Sequence, residues 1–410
     1  MFKKPYAWDE AIDYSLIFPV LCLLLIGIVS IYIAVSHDYP HLLQSMMIQQ
    51  VAWIGLGIFL AFVVMFFQTE FLYRLTPFLY LLGLVLMGLP LYFYSPDLVA
   101  STGAKNWVTI GGTTLFQPSE FMKLSYILIL SRLIVSFYRR HKRLERRISL
   151  DFLLLIYMFL LTLPVLVLLY FQKDLGTALV FLAIFSGLVL VSGVSWKIIL
   201  PTWGGLTALI SSFLLIFISK GGRTFFHNLG MPTYQINRIL AWLHPFEYAK
   251  STTFQQAQGQ IAIGSGGLWG QGFNVSNLLI PVRESDMIFT VIAEDFGFLG
   301  SACLIGLYLL LIYRMIRVTL QSNNQFYSYL STGFIMMLLF HIFENIGAVT
   351  GLLPLTGIPL PFISQGGSSI VSNLIGVGLI LSISYQNKMA QVKARPARKV
   401  EKRIVLQDIR

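Results

Sequence analysis

The chain has 410 residues, 56% of them hydrophobic and only 11% charged, with a mean hydropathy of +0.74. These values exclude a soluble protein of two or three domains and belong to a chain that crosses a membrane many times. The net charge of +11 does not point to nucleic acid, because the basic residues stand between or beyond apolar runs, where they set orientation and meet anionic lipid headgroups.

Lys3 and Lys4 precede the first apolar run without a small-residue cleavage site, so that run reads as a retained span rather than a signal peptide. Runs long enough to cross roughly 30 Å of hydrocarbon follow at Leu16–Val35, Val51–Phe67, Leu75–Tyr94, Phe121–Tyr138, Phe152–Phe171, Leu175–Gly193, Ile198–Ile218, Met287–Tyr313, Phe326–Val349 and Ile370–Ser384. The expected fold is therefore an all-α polytopic membrane protein of ten transmembrane helices. Both cysteines, Cys22 and Cys303, lie inside such runs and define no disulfide framework. If the first span runs outward, the inward segments collect Arg74, the cluster Arg139 to Arg147, Lys197, Arg314, Arg317 and eight basic residues from Lys388 to Arg410. The short outward loops hold only Lys105 and Lys173. That asymmetry predicts cytoplasmic termini, a membrane domain over 1–387, a basic tail over 388–410 and one long outer loop at about 219–286. The Arg139–Arg147 cluster is read as a topology signal, and no internal repeat suggests a transporter.

The long loop is the only extended polar interval. It holds Arg223, Arg238, the glycine-rich run Ala262-Ile-Gly-Ser-Gly-Gly-Leu-Trp-Gly270 and Arg283-Glu-Ser-Asp286 at the start of the eighth span. Within it, 254–263 mixes glutamines with apolar residues and is expected to lie on or dip into the outer leaflet, which requires burial in protein or a cavity. The glycine run lacks the Lys-Ser/Thr ending of a nucleotide loop. The eighth run is longer than one straight span needs and carries Glu294, Asp295, Gly297 and Gly300, which predicts a projection or a kink. Glu120 and Lys123 share a helix face at the start of the fourth span, as a structural pair or, given the cost of charge in a span, as cavity lining. Lys105 beside Trp107 is either an interfacial anchor or part of a site, and Asp174 either caps the sixth span or serves a ligand. His341 and Glu344 read as an interior hydrogen-bonded pair rather than a metal site. The Pro- and Gly-rich segment 351–369, with Ser364 and Ser368, cannot be a continuous helix. Its amides and hydroxyls suit either a phosphate or a re-entrant connection.

Taken together, Gln117-Pro-Ser-Glu120 with Lys123, Asp174-Leu-Gly-Thr177, Ala262 to Gly267, Asp286-Met-Ile-Phe-Thr-Val-Ile-Ala-Glu294, and Gly351-Leu-Leu-Pro through Pro359-Leu-Pro-Phe-Ile-Ser364 with Gly366-Gly-Ser368 resemble the SEDS family of shape, elongation, division and sporulation proteins. RodA-type elongation members are the nearest in pattern. The resemblance implies a peptidoglycan glycosyltransferase that polymerises lipid II at the outer face of the plasma membrane beside a class B penicillin-binding protein, with Asp286 as the essential acid. Arg238, Lys105, Glu120, Lys123, Asp174, Ser364 and Ser368 are the expected substrate and diphosphate contacts, and a divalent cation is the one cofactor candidate. Departures from the family pattern are Lys173 in place of a frequent proline, Glu284-Ser285 in place of His-Thr, and Gln365 in place of tyrosine. A lipid II flippase and a non-catalytic scaffold remain as alternatives.

Overall fold

A computed structural model describes residues 12–142, 147–219, 221–231, 233–247, 254–275, 278–322 and 324–407. Arg143 and Arg146 of the basic cluster lie outside the described residues, as does Arg410 of the tail. In chain order the helices are α1 (Tyr14–Asp38), α2 (Leu43–Met65), α3 (Thr69–Gly88), α4 (Pro96–Thr102), α5 (Pro118–Arg140), α6 (Ile148–Gln172), α7 (Leu175–Ser192), α8 (Trp196–Ile218), α9 (Gly222–Asn228), α10 (Thr233–Leu243), α11 (Phe254–Gly266), α12 (Ile288–Leu320), α13 (Gln325–Val349) and α14 (Gly367–Gln407). Ten of them are long and apolar enough to cross a membrane, and all ten coincide with the runs read from the sequence.

α5, α13 and α14 form the centre. α3 packs on α5, α7 on α13, α2 on α14 and α1 on α12. α14 is the most enclosed span, with 72% of its apolar window buried, whereas α8 has 11% and presents the rest outward, as a helix facing lipid does. α14 continues as helix without a break from Gly367 through Gln407. One departure from an all-α chain is a short antiparallel hairpin, β1 (Val108–Ile110) and β2 (Thr113–Phe116). Gly111 and Gly112 both have positive φ, the backbone that a two-residue hairpin turn of the primed type needs.

Among its described residues, the polar interval between α8 and α12 carries the three helices α9, α10 and α11. α11 buries one face in protein, Gln256, Ala257, Gly259 and Ala262, and packs on α12, while Ile261 on another face is exposed. α12 is kinked, as its length and glycines predicted. Gly297 stands at φ 65°, ψ −158° and interrupts the helix. The break frees backbone groups that must find partners, because no water is at hand in a packed interior. The glycine-rich run supplies them. Gln271 N–H donates to Glu294 O (2.9 Å), Gly272 N–H to Asp295 O (3.2 Å), and Phe298 N–H to Gly267 O (2.9 Å). A Cβ at Gly270 would stand 2.1 Å from Asp295 O, and one at Gly266 1.9 Å from Ala293 O. Bare backbone is thus required where loop and broken helix meet, which gives these glycines a structural task.

Candidate active site

The segment 283–286 enters the bundle just ahead of α12 and is fixed by four contacts from distant parts of the chain. Arg283 is fully buried and ion-paired with Glu294 on the first half of α12. Gln365 N–H donates to Glu284 O (2.9 Å). The Ser364 hydroxyl donates to Ser285 O (2.6 Å) and accepts from Leu360 N–H (2.8 Å). Asn345 on α13 donates to both Asp286 O (2.8 Å) and Ile358 O (2.9 Å). Every one of these bonds holds backbone or Arg283, and none uses the Asp286 carboxylate. Asp286 Oδ1 is shut off from solvent and has no hydrogen-bond partner, while the residue as a whole is partly exposed.

Withdrawal from water disfavours the ionised carboxylate and pushes the Asp286 pKa up to about 7, helped by the nearby Glu284 charge and opposed by its own backbone amide and by Arg238. Glu284 is also raised, first by burial and then by Asp38. A carboxylate set near 7 is divided between base and acid at neutral pH, which suits proton transfer. Arg238 on α10 is exposed and close enough to Asp286 for its charge to be felt there, and α10 is tied to the segment just after α13 by a bond from Trp242 Nε1–H to Gly351 O (3.0 Å). Glu344, buried on α13, accepts from the Thr356 hydroxyl, and its Oε2 has no partner.

The other expected site residues divide into two groups. Glu120, Lys123 and His341 form one buried cluster. Lys123 Nζ lies 2.9 Å from both Glu120 oxygens and 3.0 Å from His341 Nε2, and His341 Nδ1–H donates to Met337 O (2.7 Å). That pattern makes His341 a neutral acceptor from the ammonium. His341 and Glu344 are thus both interior, but each is bonded elsewhere rather than to the other. Asp174 and Lys105 sit at the junction of α6 and α7. Asp174 accepts from Thr177 N–H (3.0 Å), the Thr177 hydroxyl (2.9 Å) and Asn106 Nδ2–H (2.8 Å). Lys105 places its ammonium 4.3 Å from the centre of the Tyr94 ring, rather than on Trp107, and its N–H donates to Gln172 O (2.7 Å). Ser368 accepts from Gln117 N–H (3.1 Å) and joins α14 to the start of α5. Among the described residues no three His, Cys, Asp or Glu side chains gather as a metal cage.

Sequence reasoning passed over Asn345, whose two bonds reach 59 and 13 residues along the chain. Its only local signal is an amide in an otherwise apolar helix turn, Ile346-Gly347-Ala348 following it.

Comparison with known proteins places this arrangement in a group. The family model described as FtsW, RodA and SpoVE cell cycle protein matches residues 14–389. The peptidoglycan glycosyltransferase MrdB of Escherichia coli K12 is 31% identical over 394 residues, covering 94% of this chain and 97% of that protein. A chain of a solved peptidoglycan synthase complex superposes with a TM-score of 0.72 at 29% identity, covering 92% of this chain and 98% of the other. The rod shape determining protein RodA of Thermus thermophilus gives 0.63 at 30% identity, over 91% and 96%.

Proposed function

The chain belongs to the FtsW, RodA and SpoVE family of cell cycle proteins, and from that membership together with the geometry at Asp286 we infer that it is a peptidoglycan glycosyltransferase. The observation that carries the mechanism is a carboxylate with its own carbonyl held by Asn345, the carbonyls of the two residues before it held by Ser364 and Gln365, and its Oδ1 enclosed and unbonded; burial, which pushes its pKa up to about 7, suits it to the task.

In the reaction, the acceptor sugar's 4-hydroxyl oxygen attacks the anomeric carbon of a donor linked to undecaprenyl diphosphate. The new carbon–oxygen bond forms as the bond to diphosphate breaks, with inversion, and the hydroxyl proton passes to Asp286. Diphosphate is a competent leaving group once its charge is met, so one base plus cations suffices, unlike the paired carboxylates of a glycosidase. Arg238 is the cation nearest this task. Lys105 lies on the same side of the membrane domain, while Lys123 is engaged by Glu120 and His341 and acts from within the bundle.

Orientation is proposed from the charge asymmetry: the Asp286 end faces outward and the Arg139–Arg147 end faces the cytoplasm. The substrate is lipid II and the partner a class B penicillin-binding protein with transpeptidase activity, a pairing supported by the likeness to a chain of a peptidoglycan synthase complex. Purified protein supplied with lipid II in detergent is expected to make glycan polymer. Lipid movement across vesicles without polymer supports a flippase instead. A single cysteine replacing the exposed Trp269, in a background lacking Cys22 and Cys303, is expected to react with an impermeant label in intact cells; reaction only after permeabilisation reverses the orientation.

A further inference from the structure

At the end of the bundle opposite Asp286 lies a cavity of about 580 Å³, walled by the first turns of α3 and α13, by the far end of α5 and by Gln386 midway along α14. α5 runs 23 residues from Pro118, near the active site, to Arg140, which at about 1.5 Å per residue separates the two regions by roughly 35 Å, a membrane thickness. Two guanidinium groups, Arg74 and Arg139, line the cavity together with Glu70 and the amide side chains of Gln68 and Asn324. Among the described residues no carboxylate forms an ion pair with either arginine. Arg139 is held over the Tyr73 ring at 5.8 Å, and Tyr73 is itself braced by Ser136 (2.5 Å) and Arg132 (2.6 Å to its carbonyl).

The backbone adds to this positive field. α3 begins at Thr69 with no side chain capping its first turn, so its free amides and dipole end look toward the cavity. A charge that only sets topology needs to be on the correct side and needs no concavity, no aromatic brace and no convergence with helix ends. The volume falls within the range of small-ligand sites, and two forked guanidiniums match the geometry of a phosphate.

We propose that this cavity binds a phosphate-bearing group, supplied by an anionic lipid head in the adjoining leaflet or by a soluble phosphate compound. Glu70 is the unfavourable element of the wall and limits the affinity.

The test uses the full-length protein in mild detergent, titrated separately with short-chain phosphatidylglycerol and with inorganic phosphate. Saturable binding is expected, with phosphatidylglycerol alone identifying a lipid source and both probes a soluble one. The double variant Arg74→Gln with Arg139→Gln is expected to bind about tenfold more weakly or worse, and Glu70→Gln several-fold more tightly. Arg140→Gln, exposed and outside the cavity wall, is expected to bind as the wild type does. Absence of saturable binding by both probes overturns the proposal. So does equal weakening by Arg140→Gln, and should the double variant fold poorly, failure of Glu70→Gln to tighten binding overturns it alone.

Discussion

Asp174 and Asp286 are the same residue type at the same kind of place, each just ahead of a membrane helix, and the fold treats them in opposite ways. Asp174 accepts three hydrogen bonds, two of them from the first turn of the helix it caps. Asp286 caps nothing: the residue flanking α12 is Met287, which provides no capping bond, and the Asp286 side chain is left with an unbonded, enclosed oxygen. A carboxylate whose acceptor sites are taken up by the chain's own donors is part of the fold's framework. One whose carbonyl is clamped while Oδ1 stays unbonded is held in place for something that is not part of the protein. Glu294 belongs with Asp174 in this respect, because its charge is taken up by Arg283.

The comparison breaks most visibly at Glu294. Replacing it with alanine leaves the Arg283 charge buried and unpaired, and the expected loss is about 3–5 kcal/mol of stability in denaturant or thermal melts. A milder result, near 1 kcal/mol, requires that water reaches Arg283. Next is Asn345→Leu, which strips the partner from two backbone carbonyls and is expected to cost about 1–3 kcal/mol. Because one of those carbonyls is that of Asp286, polymerisation by the folded fraction is expected to fall as well, with kcat affected more than KM.

How far the sequence foretold this site depends on how far apart the partners lie. Ten spans were legible because hydropathy is a local property, although α2 starts at Leu43, eight residues before the apolar run at Val51; Gln44, Ser45, Gln49 and Gln50 dilute the hydropathy without disfavouring the helix. The kink at Gly297 was foreseeable from length and glycines, but its hydrogen-bonding partner in the glycine-rich run was not, since nothing local says which backbone a bare backbone will meet. The Glu120–Lys123 pair was visible at three residues' spacing, whereas His341 joins it across 218 residues. Asp286 could be singled out, but its clamp from Asn345, Ser364 and Gln365 depends on how α13 and the 351–366 segment fold over it.

Asp174 supplies the converse test. Asp174→Ala is expected to cost about 0.5–2 kcal/mol through the lost cap, whereas Asp174→Asn is nearly neutral, since asparagine caps as well. The smallest effect is a pH dependence at Asp286. Its pKa is raised in the folded protein from 3.8 to about 7, so folding favours the protonated form. The stability this contributes is complete below the unfolded value and is lost as pH rises through 7. Asp286→Asn removes that loss. The variant is expected to match the wild type in acid and to be more stable at pH 8 by on the order of 1 kcal/mol, less than the full linkage value because the residue is partly exposed.

The claim that Asp286 is the general base is tested most directly by the rate of glycan polymer formation from lipid II, measured side by side for wild-type protein, Asp286→Asn and Asp174→Asn at matched folded concentrations. The expected result is a loss of about a hundredfold or more for Asp286→Asn and a wild-type rate for Asp174→Asn. Near-normal polymerisation by a folded Asp286→Asn protein would contradict the account, because asparagine can occupy the clamped position but cannot accept the proton.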